Sequence, residues 1–262
     1  MRGSGIMKDL YKNFLLLWCG FFAFVFTVVA EQLPETLVRI KPSVVGVGTF
    51  LPSRSPQSVF FGTGFVIGNG QLIVTNAHVV AKSLNLERME KWAIFVSINK
   101  SPKMAIVEKV AIDEEHDIAI LKLKKGALPA LTLGNVSSVR EGGLYAFTGY
   151  PIGMVLGLYP VTHRGIISAI SPVVIPVLNS KKLNARFVRR LQNPYDVYQL
   201  DATAYPGNSG SPVYEIASGE VIGVINKVFV KDTKENVLSK PSGITYAIPI
   251  EHVKNLLARK GL

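Results

Sequence analysis

The sequence predicts an all-β protein, a sandwich or barrels in two halves, finished by one short C-terminal helix. Three observations predict it. Strand-length apolar runs rich in Val and Ile recur roughly every 8 to 15 residues, with turn residues between them. The 23 Gly and 15 Pro among 262 residues supply the many turns that such a fold needs. Strands do not alternate with helical segments, so a parallel α/β sheet is not expected.

Taken in order, the chain opens with Arg2, Lys8 and Lys12 ahead of the uncharged run "FLLLWCGFFAFVFTVVA", Phe14 to Ala30. Val28 and Ala30 stand where a signal peptidase accepts small side chains. As a helix the run would span about 26 Å at 1.5 Å per residue, short for a bilayer. Residues 1–30 are therefore read as a cleaved signal peptide, with an inner-membrane anchor over residues 14–30 as the alternative. Either places the remainder outside the cytoplasm, in the bacterial periplasm or secreted, because the basic flank stays inside. The single cysteine, Cys19, lies in this segment, so the exported part has no disulfide. Three bases and one acid lie in the first 30 residues, so most of the net charge of +11 belongs to the exported part.

"EQLPETLVRIKPSVVGVGTF" follows, a helical turn and then a strand entered after Pro42. Strand-like pieces come next: "GTGFVI", "QLIVTNAHVV", "KWAIFVSIN", "MAIVEKVAI", "DIAILKLK", "LYAFTGYP", "HRGIISAIS", "VYQLDAT", "SPVYEIA", "EVIGVINKVFV" and "GITYAIP". Residues 128–143 read as a link, giving a first half over 31–134 and a second over 135–262. Only "IEHVKNLLARKGL" has helical apolar spacing, at Val253, Leu256 and Leu257, and it ends in Arg259, Lys260 and Gly261.

Three motifs carry chemistry only in combination. Taken singly, His78 in "TNAHVV" reads as a core histidine and Asp117 before "IAILKL" as a strand cap. Ser209 in "DATAYPGNSGSPVYE" reads as a turn residue. Together they provide the parts of an acyl-transfer site. A hydroxyl nucleophile needs an imidazole to take its proton and a carboxylate to hold that imidazole's tautomer. The turn Gly207-Asn208-Ser209 offers backbone amides for the developing oxyanion.

The order His78, Asp117, Ser209 resembles that of the chymotrypsin-like serine proteases, and the motifs are similar to those of the bacterial HtrA/Deg branch. "GTGFVI", "TNAHVV", "HDIAILKL", "GYPIG", "RGIISAI", "PGNSGSPV" and "YAIPI" carry the resemblance over roughly residues 35 to 260. It implies two six-stranded antiparallel β-barrels with the site between them. His78 and Asp117 would come from the first, Ser209 and the oxyanion turn from the second. The reaction implied is peptide hydrolysis by a serine endopeptidase, with polypeptide substrates. Ser211 stands where the family commonly has a second glycine, and Tyr205 where it often has asparagine. Enzymes with the trypsin-like pocket carry an aspartate where this chain has Thr203. A pocket walled by Thr203, Tyr205, Asn226 and Lys227 is thus expected to take small or medium apolar side chains before the cut. Lys227 is either a solvated lysine or a contact for an acidic substrate group. Family members usually carry a peptide-binding PDZ domain after the protease, whereas this sequence ends one helix after "AIPI", so a protease domain without PDZ is expected.

Five bases, Lys181, Lys182, Arg186, Arg189 and Arg190, crowd the segment before "VYQLDAT". They mark either a solvated loop or a patch for an anionic membrane surface. No nucleic-acid motif is present and no Cys/His cluster has metal-ligand spacing, so neither a nucleic-acid partner nor a metal or other cofactor is expected. The competing functions are a protease-like binding module and an anionic-surface binder without catalysis.

Overall fold

The computed structural model describes residues 32–98, 101–151, 158–173, 194–226 and 243–262. The proposed signal or anchor segment, the basic residues Lys181, Lys182, Arg186, Arg189 and Arg190, and Lys227 lie outside the described residues.

Twelve strands form two closed antiparallel barrels among the described residues. The first contains β1 (Val44–Phe50), β2 (Ser58–Ile67), β3 (Leu72–Asn76), β4 (Lys91–Ile98), β5 (Ser101–Asp113) and β6 (Ile118–Leu123). Its strand order is β1-β2-β3-β6-β5-β4, and β4 pairs back onto β1. The second contains β7 (Leu144–Gly149), β8 (Val161–Pro172), β9 (Asp196–Asp201), β10 (Pro212–Glu215), β11 (Val221–Asn226) and β12 (Ile244–Pro249), ordered β10-β11-β12-β9-β8-β7.

Burial on both faces explains why the strands read as continuous apolar runs rather than as clean alternations. In β6, Ala119 and Leu121 face a cluster inside the first barrel with Val45, Val47, Ile73 and Ile94. Ile118 and Ile120 of the same strand face a different cluster, shared with Tyr150, Tyr214, Val224 and Ile248 of the second barrel. The second barrel has its own filling of Phe147, Ile167, Leu200, Val213 and Ile225. The shared cluster is the wall against which both barrels pack. The link between them adds bridges to each side, Leu131 to Ile67 and Leu133 to Val221.

Among the described residues two α-helices close the ends. Helix α1 (Leu33–Ile40) is tied to the β10–β11 turn, where Thr36 Oγ1 donates to the Ile216 carbonyl at 2.7 Å. Helix α2 (Glu251–Lys260) inserts Val253 and Leu256 into the shared cluster. It ends at Gly261, in the left-handed conformation at φ 64°, with Leu262 N–H reaching back to the Leu257 carbonyl. Among the described residues no helix is long and apolar enough to cross a membrane.

Helix α2 also meets the first barrel through a polar cluster that sequence patterning did not show. His252 stacks on His116 with ring centroids 3.9 Å apart, and both rings touch that of Tyr195. His116 Nδ1 lies 2.9 Å from Asp113 Oδ2, which also accepts from Arg259. Burial disfavours the charge on Asp113, but hydrogen bonds from His116 and Arg259 prevail and hold its carboxyl well below the usual carboxylate range. Burial, reinforced by neighbouring His116, brings His252 down from 6.5 to about 4, against the opposing pull of Asp113. The folded state thus favours neutral His252. Its contribution to stability is intact above the unfolded value and is lost as pH falls from about 6.5 toward about 4. The melting temperature is expected to drop over that window, and His252→Gln is expected to flatten the drop. Parallel melting curves for the two proteins would contradict this role for His252.

Candidate active site

His78 sits in a single 3-10 turn, Ala77–Val80, directly after β3. Asp117 sits between β5 and β6 with φ 56°, a left-handed conformation uncommon outside glycine but more accessible to Asp than to most residues. That backbone is held from β3's end, because Asn76 Nδ2 and Ala77 N–H both donate to the Asp117 carbonyl, at 3.1 Å each. The pairing of β3 with β6, Asn76 opposite Ile118, brings the two residues together.

The Asp117 carboxylate meets His78 twice. Oδ1 accepts from the His78 backbone amide at 2.9 Å, and Oδ2 lies 2.7 Å from Nδ1. Asn226 Nδ2 donates to Oδ2 at 2.9 Å. The Asp117 side chain is 1% exposed and that of His78 32%, so the carboxylate is sealed in while one edge of the ring stays accessible.

Ser209 lies in the turn between β9 and β10, and both of its neighbouring glycines are required. Gly207 has φ 100° and Gly210 φ 88°. A Cβ on Gly210 would lie 2.0 Å from the Thr63 carbonyl oxygen. The turn is fastened to the first barrel by Thr63 of β2. Its amide donates to the Ser209 carbonyl at 2.8 Å, and its hydroxyl donates to the Gly207 carbonyl at 2.7 Å. Gly210 N–H is bonded to the Ile225 carbonyl. Asn208 N–H is committed to the Tyr205 carbonyl at 3.0 Å. The amides of Gly207 and Ser209 have no hydrogen-bond partner among the described residues. The turn therefore keeps two backbone donors uncommitted, on either side of an occupied one. Ser211, which stands where the resembled family commonly has a second glycine, leaves the turn's bonds in place: its amide reaches the Asn208 carbonyl at 3.0 Å and its carbonyl accepts from Ile225 at 2.9 Å.

Of the expected pocket residues, Thr203 and Tyr205 are half-buried on the approach to Ser209. Asn226 was expected on the pocket wall, but it is buried and its amide is bonded to Asp117. Nothing local in "VIGVINKVF" signals this contact, which closes only when β11 meets the first barrel. The two bonds made by Thr63 were equally hidden, although "GTGF" had marked the strand. Below Tyr205, His163 of β8 stacks on Phe147 at 4.8 Å. Burial lowers its pKa, and its Nε2 has no hydrogen-bond partner among the described residues. Among the described residues no group of three His, Cys, Asp or Glu side chains is placed to hold a metal ion.

Comparison with known proteins agrees with this fold. Residues 62–224 match the family model described as "Trypsin-like peptidase domain". Curated relatives include serine protease HTRA4 of Homo sapiens, 32% identical over 224 residues. Another is a probable periplasmic serine endoprotease, DegP-like, of Halomonas elongata, 34% identical over 229 residues. Each alignment covers 84% of this chain and 40% of the relative, so the chain spans about two fifths of their length. Among solved structures, the HtrA-type protease AlgW with a tripeptide aligns with a TM-score of 0.61 at 27% identity, over 86% of this chain and 62% of that one. The active form of the Rv3671c protease of M. tuberculosis shares the fold, with a TM-score of 0.62 at 24% identity over 88% of this chain and 86% of that one.

Proposed function

The chain belongs to the trypsin-like peptidases, with HtrA and DegP-type serine proteases as homologues, and on that premise we propose that it is an exported serine endopeptidase acting through His78, Asp117 and Ser209. The doubly bonded Asp117–His78 pair is the observation that carries the reading. A carboxylate at Nδ1 fixes the tautomer in which that nitrogen bears the proton and Nε2 is the acceptor. Nε2 takes the proton of Ser209 as Oγ attacks the peptide carbonyl. The amides of Gly207 and Ser209 receive the oxyanion. The imidazolium, stabilised by Asp117, returns the proton to the departing amine, which leaves an ester on Ser209. Water, deprotonated by the same imidazole, hydrolyses the ester and restores the serine. Asn226 supports the carboxylate, and Asn208 holds the turn by its bond to Tyr205.

Export rests on the basic and then apolar N-terminal pattern. Recovery of the native protein from the cytoplasm with that segment intact would contradict it.

The pocket reading makes a quantitative prediction. Thr203 offers no counter-charge, and burying an unpaired charge costs several kcal/mol. A fitting apolar side chain gains about 1.5 to 3 kcal/mol on burial. Mass spectrometry of products from a peptide library is expected to show Val, Ala or Leu before the cut, favoured over Arg or Lys by about tenfold or more. A profile dominated by Arg or Lys would overturn the pocket assignment.

A further inference from the structure

The register between β1 and β2 skips one residue: Val47 pairs with Gly62 and Gly48 with Phe60, which leaves Phe61 as a bulge. Bulges re-aim side chains and are frequent beside active sites. Here the next residue, Gly62, is wedged against both halves of the proposed site. A Cβ there would lie 2.7 Å from Val79, the residue after His78, and 2.9 Å from the Ser209 carbonyl oxygen. Phe61, the residue before Gly62, is half-buried and packed edge-on against Trp92 at 6.1 Å.

Above that ring is a cation. Lys82 Nζ lies 5.9 Å from the Phe61 centroid and 2.7 Å from Glu90 Oε1. Glu90 is sealed, with its side chain 2% exposed, and it also accepts from Arg54, Thr49 and the Asn85 amide. Burial works against its charge, but the bonds from Asn85, Lys82 and Thr49 bring it down to about 2. One carboxylate thus serves two cations. Glu87 and Arg88, the other charges of the loop between His78's turn and β4, are both exposed and cancel. One positive charge is left over. Of the two cations on Glu90, Lys82 is the more open, at 44% exposed against 22% for Arg54.

The direction of the substrate gives this charge a role. Thr203 and Tyr205, on the second barrel, flank the half of the peptide that is acylated. The other half departs as an amine that takes its proton from His78, so it leaves past the turn that carries His78 and the neighbouring edge of β2. Phe61 precedes Gly62 in that strand, and Lys82 follows His78 by four residues. We infer that Phe61 and Lys82 form the subsite for the departing half of the peptide, and that Lys82 selects there for an acidic side chain. This rests on the endopeptidase reading above.

Three internally quenched peptides test it, identical up to the cut and carrying Glu, Gln or Lys at the second position after it. With the full chain, kcat/KM is expected to be about fivefold higher for the Glu peptide than for the Lys peptide at low salt, the scale of an exposed charge pair. The ratio is expected to shrink in about 0.5 M salt, where the screening length falls to a few Å. Lys82→Gln is expected to bring the ratio close to one, and Lys82→Arg to preserve it. Equal cleavage of the Glu and Lys peptides by the unaltered protein, or an unchanged ratio in Lys82→Gln, overturns this inference alone. Failure to cleave any of the three peptides overturns the endopeptidase reading, and this inference with it.

Discussion

Ser209→Ala is expected to lower turnover of a cleavable peptide by about 10⁴ to 10⁶, the range seen when a nucleophile is removed from a catalytic unit. The fold is expected to survive. The turn is held by bonds that do not involve the Ser209 hydroxyl: Thr63 to the Gly207 and Ser209 carbonyls, Gly210 to Ile225, and Asn208 to Tyr205. An unchanged melting temperature with lost hydrolysis, measured on one preparation, is the expected pair of results. Retained hydrolysis by purified Ser209→Ala would remove Ser209 from the role of nucleophile.

Asp117→Asn is expected to cost about 10⁴ in turnover. Both carboxylate oxygens act as acceptors, Oδ1 from the His78 amide and Oδ2 from His78 Nδ1 and Asn226 Nδ2. An amide must place NH2 at one of these two positions. At the first it faces another N–H. At the second it faces the Asn226 NH2 and can satisfy His78 only if Nδ1 becomes the acceptor, which puts the proton on the nitrogen that should take one from Ser209. A nearby acid, Asp113, is engaged by His116 and by Arg259 of helix α2. A loss smaller than about tenfold in steady-state kinetics would mean that Asp117 does not set the tautomer of His78.

What was legible in the sequence follows from the distance over which each feature acts. Strand-length apolar runs and turn residues are local, and they gave the strands. The motifs around His78, Asp117 and Ser209 gave the candidate site, because each places a reactive side chain beside its own local support: a 3-10 turn, a left-handed aspartate and a pair of glycines. Features made by contact between the barrels left no such mark. Asn226 and Asp117 are 109 positions apart, so the bond between them had no local signature. The stack of His116 on His252 joins the β5–β6 turn to the terminal helix in the same way. The bulge at Phe61 depends on which residues of β1 and β2 are opposed, and a run as uniformly apolar as "SVFFGTGFVI" does not fix that register by itself.

In the proposed mechanism Ser209 is made nucleophilic by the Asp117–His78 pair. A fluorophosphonate probe reacts with an activated serine hydroxyl, and peptide mapping by mass spectrometry locates the adduct. One adduct is expected at neutral pH, on the peptide containing Ser209, with its loss in His78→Ala. A folded, unaltered protein that takes up no probe, or an adduct on a different serine, would contradict it.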